Sequence, residues 1–330
     1  MKRYLPYKLV PIFLLIINFN CFCSILTQGQ STLGRFNLLQ GSEKNVLRNL
    51  SVKTIKSHTG NLFSTYGYVD TLSFLVYITD EDEEFKSLTS KNIPEWAVGV
   101  AKGNKIVIKS PTQKSRTYDS FNKTLKHEIT HIYLSQINIR FPSWFNEGFA
   151  MHTADQFDIR RKINISWNLL FKRIVNLNQL KNFLSASKSQ AYLYYSQSAA
   201  SIDAMIFYYG DDILDNILFY AKQDKNFNQA FLKATGDDTV DDFSVKYISY
   251  LNNHFKFLFI YQFQKIVFFL ISFLLLLVWF YKKRRIKKYY FFYSSIIYKQ
   301  RMIFINTWNN EEEMLFSTRY QIDTNQVTYL

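Results

Sequence analysis

From Ile266 to Tyr281 the chain is almost wholly apolar, and the next seven residues, Lys282 to Lys288, carry six positive charges. No other feature restricts the fold as strongly. A bilayer offers its peptide groups no water, so a single apolar stretch can cross only as a helix. About 20 residues span the roughly 30 Å of hydrocarbon. Upstream residues from Phe257, interrupted by Gln262, Gln264 and Lys265, add length. A transmembrane helix is therefore expected over 257–281. The positive-inside rule assigns the basic cluster and the tail 282–330 to the cytoplasm. Whatever precedes the span then lies outside.

The N-terminus gives the same topology. Residues 1–24 join a short basic region to a nine-residue apolar core, Leu9 to Ile17, broken only by Pro11. That is the pattern of a signal peptide or signal-anchor. Nine residues are too few to span alone. Both cysteines, Cys21 and Cys23, fall in this segment. The exported domain, 25–255, therefore has no disulfide and folds on an ordinary apolar core, for which about 230 residues suffice.

The formal charge of +14 suggests nucleic acid until its distribution is examined. Residues 25–255 hold 26 Lys/Arg against 22 Asp/Glu, whereas residues 282–330 hold 9 against 4. The excess sits at the membrane edge, where the cluster 282–288 binds anionic headgroups. No basic block marks the exported domain, so nucleic acid is not expected as a partner.

Within that domain His127-Glu128-Ile129-Thr130-His131 forms an HExxH motif, in a chain with only five histidines. On a helix the two histidines share one face and can meet one metal ion. Glu128 lies about 100° round from His127, beside the metal and free to take a proton from water. A catalytic zinc needs a third protein ligand and an open position. Glu147, in the run Phe141 to Ala150, is expected to be that ligand, giving one Zn²⁺ held by His127, His131 and Glu147.

Around this motif the pattern is strands first and helices after, an α+β layout. Residues 71–79 read as a strand and are followed by an acidic stretch, Asp80 to Glu84, expected as a solvated turn. Residues 97–101 and 105–109 flank Lys102-Gly103-Asn104 as a hairpin. The HExxH helix is expected over 120–136, and Pro142 in the first turn of the next helix. Further helices are expected at 165–185, 196–222, 226–234 and 239–252. Residues 30–62 are mixed and end in an expected turn at Ser57 to Asn61, which makes His58 a surface residue.

These residues resemble the gluzincin metallopeptidases, in particular the peptidase MA-like branch. The matching segments are Trp96-Ala97-Val98-Gly99, His127 to His131, Pro142 to Ala150, and Tyr195-Ser196-Gln197-Ser198 running to Tyr209-Gly210, in that order over about 65–252. The resemblance implies a zincin-like α+β domain, with an N-terminal β part and a helical C-terminal part, followed here by one transmembrane helix. It also implies a peptide or protein substrate, hydrolysed by zinc-activated water with Glu128 as general base. Tyr195 occupies the family's recurrent tyrosine position, from which a phenol can donate to the substrate's oxyanion. Several gluzincins place an aspartate four residues after the glutamate ligand to support a ligand histidine; here Met151 stands there. A backbone carbonyl, Asp155 or His152 are the replacements considered. The competing reading is a non-catalytic membrane sensor or scaffold, with the tail meeting a cytoplasmic partner. A zinc hydrolase acting on something other than peptide is a third.

Overall fold

The computed structural model describes residues 25–40, 45–90, 93–111, 116–181 and 183–324. The signal segment 1–24, with both cysteines, lies outside them. Contacts divide the chain into two compact units, one ending at Phe259 and one beginning at Ile260.

The first unit opens with a hairpin, β1 (Ile25–Ser31) and β2 (Gly34–Gln40). Helix α1 (Asn45–Tyr66) then crosses to β3 (Phe74–Thr79), which pairs parallel to β2. A short helix α2 (Asp82–Leu88) leads to β4 (Gly99–Lys102) and β5 (Lys105–Lys109). The five strands run in the order β1-β2-β3-β5-β4, with the outer pairs antiparallel and the inner ones parallel. Phe74, Val76 and Ile78 alternate inward on β3, the period-2 pattern of a half-covered strand. On β5 four consecutive residues, Ile106 to Lys109, are buried. The β4–β5 turn sets Gly103 at φ 60°, which suits glycine at the first central position of a two-residue hairpin.

The remainder of the unit is helical. Helix α3 (Tyr118–Ser135) carries the HExxH motif, and α4 (Ser143–Thr153) carries Glu147. Then come α5 (Ile159–Leu170), α6 (Lys188–Tyr209), α7 (Ile213–Asp224), α8 (Phe227–Thr235) and α9 (Val240–Phe255). Trp144, Phe145 and Phe149 of α4 are essentially fully buried, with Phe231 and Phe243 of α8 and α9. Burial of such side chains stabilises by about 1.5–3 kcal/mol each, so the helix bearing Glu147 is anchored firmly. At Gly148 the helices nearly touch: an added Cβ would lie 2.3 Å from Ser198 O on α6.

Several expectations fail for physical reasons. The expected turn at Ser57 to Asn61 is the interior of α1, where Thr59 Oγ1 donates to Ile55 O at 2.7 Å. His58 is buried, not on the surface. The acidic stretch starts α2, and Asp82 pairs with the buried Lys109 at 2.8 Å. Pro142 is the N-cap of α4, one residue before its first turn. The helix expected at 165–185 ends at Leu170, because Lys172 adopts φ 53°. The one expected at 196–222 starts earlier, at a Ser187–Gln190 capping box, and breaks at Gly210 (φ 91°).

The second unit is α10 (Ile260–Thr324). Among the described residues it holds the one helix, Phe263–Trp308, that is long and apolar enough to cross a membrane. The helix itself begins at Ile260 and continues beyond Tyr281 through the basic cluster.

Candidate metal centre

Helices α3 and α4 bring three ligand atoms to one point. His127 Nε2 and His131 Nε2 are 3.0 Å apart. Glu147 Oε2 lies 3.3 Å from the first and 3.5 Å from the second, at ion-pair range but without the alignment of a hydrogen bond. The helical spacing i, i+4 places both imidazoles on one face of α3. Thr117, capping that helix through Ser120 N, and the buried stripe Phe121, Leu125, Ile129 and Ile132 fix its rotation.

Three electron-rich atoms aimed at each other repel unless a positive charge lies among them. Imidazole and carboxylate ligands at about 2.0–2.2 Å from a tetrahedral metal would be roughly 3.3–3.5 Å apart. The two Glu147 separations fall in that range and the His127–His131 one, at 3.0 Å, is slightly shorter, so a small adjustment would seat one ion; all three atoms lie within 4.8 Å of one another. Glu147 and the two imidazoles also bias one another's charge. Burial disfavours charge on His131, yet Glu147 outweighs it and lifts the imidazole pKa to about 9. Burial likewise opposes the Glu147 carboxylate, but His131 and His127 hold it well below the ordinary carboxylate range.

Glu128 is buried alongside. Burial pushes its carboxyl pKa up, against the pull of His127 and His131. The backbone of Ala101 on β4 lies near enough to pull it back down slightly. Gly99 permits that approach, since a Cβ there would sit 2.6 Å from Glu128 Oε1. Thus edge strand β4 runs directly beside the carboxylate.

Tyr195 is placed by α6, its ring centroid 6.4 Å from that of His127. Burial pushes its phenol well above the usual value, so it is a hydrogen-bond donor. All five expected site residues therefore gather in one region. Other features of the site lay outside the sequence reading. His131 Nδ1 is 3.3 Å from Asn146 Oδ1, so a side-chain amide supports this histidine where an aspartate was missed. Met151 is in the core, and Asp155 pairs instead with Lys123 at 3.3 Å. His127 Nδ1 has no hydrogen-bond partner among the described residues. Arg161 sits over the Tyr192 ring at 4.7 Å, its Nη1 buried and without a hydrogen-bond partner among the described residues.

A family profile described as the Peptidase MA superfamily matches residues 65–252. The chain belongs to that superfamily. Among solved structures it is similar to Legionella pneumophila aminopeptidase A in complex with aspartic acid, at 12% identity and a TM-score of 0.44, over 69% of this chain and 28% of that one. It is also similar to the M1 zinc metallopeptidase from Deinococcus radiodurans, at 11% identity and a TM-score of 0.40, over 69% of this chain and 52% of that one. The chain thus spans about half, or less, of the length of these proteins. No functionally curated protein matches it.

Proposed function

We propose that the chain is a membrane-anchored, zinc-dependent peptidase whose catalytic unit lies outside the cytoplasm. The observation that carries this is the convergence of His127 Nε2, His131 Nε2 and Glu147 Oε2 beside the buried carboxylate of Glu128. A zinc ion bound by His127, His131 and Glu147 would polarise the scissile carbonyl and acidify a water to a pKa of about 7.

The chain's own groups do the rest. Glu128, packed beside Gly99 of β4, takes the proton from the attacking water and passes it to the departing amine. Tyr195 donates its phenolic proton as a hydrogen bond to the carbonyl oxygen as negative charge develops there. An extended peptide adds to the free edge of β4, which sets its backbone across the site and leaves side-chain preference to the surrounding surface. A scaffold has no use for Glu128, which is not a ligand, and its retention beside an intact ligand set favours the enzyme.

The test is a pair of substitutions in the zinc-loaded protein. Glu128→Gln keeps the ligands and removes the base; metal content and fold are expected to stay, while cleavage of a mixed peptide library, read by mass spectrometry, falls by about 10²-fold or more. Glu147→Ala is expected to lose metal and activity together. A wild-type protein that binds zinc and cleaves nothing in the library would return the assignment to the scaffold.

A further inference from the structure

The C-terminal end of α5 carries a surface unrelated to the metal centre. Leu170 and Phe171 are 51% and 57% exposed, and Phe257, which follows α9, is 65% exposed. Lys172, Arg173 and Lys256 are exposed among them. The Arg173 guanidinium lies 5.5 Å from the Phe171 ring centroid, and Lys256 Nζ lies 5.6 Å from that of Phe257. No Asp or Glu occurs in residues 163–176 or 247–262.

The two segments are held as one surface. Ser166 Oγ accepts from Phe259 N at 2.8 Å and donates to Lys256 O at 3.2 Å. Trp167 packs on Phe259, with centroids 5.4 Å apart, and stacks on Phe171 with the rings 9° from parallel. Phe259 is also the last residue of its unit, and α10 begins at the next position. At 1.5 Å per helical residue, Ile266 lies only about 9 Å along α10 from Ile260. The headgroup layer on each side of a bilayer is about 5–8 Å thick. A span that enters the hydrocarbon between Phe263 and Ile266 puts Phe259 about 6–11 Å from it along the chain, in the headgroup layer or just outside it.

We propose that this surface docks on the membrane that α10 crosses, with Phe171 and Phe257 at the acyl boundary and Lys172, Arg173 and Lys256 on anionic headgroups. Aromatic rings favour this layer on either side of a bilayer, and cations add attraction wherever its headgroups are anionic. The surface is distinct from the basic cluster 282–288, on the far side of the span. Docking makes the attachment two-point, so the peptidase unit is oriented on the bilayer and not merely tethered. The inference rests on α10 being a span, and the test separates the two.

Full-length protein with Cys21→Ser and Cys23→Ser receives one new cysteine at Phe171, Phe257, Val46 or Leu275, each labelled with an environment-sensitive fluorophore. The variants are reconstituted into phosphatidylcholine vesicles with and without phosphatidylglycerol. Labels at 171 and 257 are expected to shift to the blue and be quenched by nitroxide lipids, more strongly with phosphatidylglycerol. The label at 275 is expected to be quenched in both vesicles, and that at 46 in neither. Replacing Lys172, Arg173 and Lys256 by Gln should remove the phosphatidylglycerol dependence at 171 and 257 and leave 275 unchanged. Labels at 171 and 257 that behave like 46, with 275 quenched, overturn docking alone; a water-like signal at 275 overturns the span and docking together. Shielding at 171 from aqueous quencher without lipid quenching would assign the surface to a second copy of the chain instead.

Discussion

At the scale of single residues the metal centre depends on a contact that spacing does not reveal. Asn146 Oδ1 meets His131 Nδ1 across the α3–α4 crossing, 15 positions away in sequence. By holding the ring, the amide fixes which nitrogen faces the ion. Loss of such a partner typically costs 10–100-fold in metal affinity. Asn146→Ala is expected to weaken zinc binding by about that factor in chelator competition, with the fold intact by circular dichroism; an unchanged affinity would show that His131 needs no support. His58 was equally hidden. It joins α1 to the motif helix, Nε2 lying 2.9 Å from Thr130 Oγ1, which in turn bonds Thr153 on α4. Burial and the nearby Lys126 lower its pKa to about 4. The unfolded chain protonates His58 near 6.5, the folded chain only near 4, so between those values the unfolded state binds more protons. Stability is therefore complete above about pH 6.5 and falls as pH drops toward 4, by on the order of 3 kcal/mol from this group. Denaturant titrations from pH 7 to 4 should show that slope, and His58→Gln should flatten it.

At the scale of elements, the site is a meeting of α3, α4, α6 and β4, and glycine sets two of the contacts. Gly148→Ala would gain up to about 1 kcal/mol of helix propensity. It would also drive a methyl into the Ser198 carbonyl and Ile202, and overpacking of this kind costs about 1–3 kcal/mol. We expect a net loss of thermal stability. Peptidase activity should fall further than stability does, because α4 carries Glu147 and α6 carries Tyr195. A variant as stable and active as wild type would show that the two helices yield freely. The same elements explain what could be read in advance. Strand β3, the β4–β5 hairpin, α3 and α4 announce themselves through period-2 runs, a Gly-Asn turn and the ligand motif. The β1–β2 hairpin does not: its first strand, Ile25–Ser31, is mostly polar and has Gly29 opposite Phe36, whose ring fills the space a side chain would take. Helix α1 was obscured by Ser57, His58, Thr59 and Gly60, poor helix formers held helical by burial of His58 and Thr59. Tertiary contacts decided where local preference was silent.

At the scale of the whole molecule, charge decides how a long helix is used. Helix α10 has 65 residues, about 98 Å at 1.5 Å each, roughly three times the hydrocarbon thickness. Only part of it can lie in lipid. Each Lys or Arg at the bilayer centre costs about 2.5–3.5 kcal/mol, so the six cations at 282–288 end the span. Residues 263–281 supply about 28 Å, close to the hydrocarbon thickness. On the proposed topology the same cations hold that end on the cytoplasmic side, and the catalytic unit lies on the other. A reporter fused after Leu330 is expected to be active only as a cytoplasmic fusion. One fused at Asn253, at the exposed end of α9, is expected to report an extracytoplasmic position. Replacing the cations at 282–285 by Gln should weaken this asymmetry, because the orientation is set by positive charge next to the span and not by the apolar run itself. Identical results for the Leu330 and Asn253 fusions would mean that α10 does not cross, and the catalytic unit would then share a compartment with the tail.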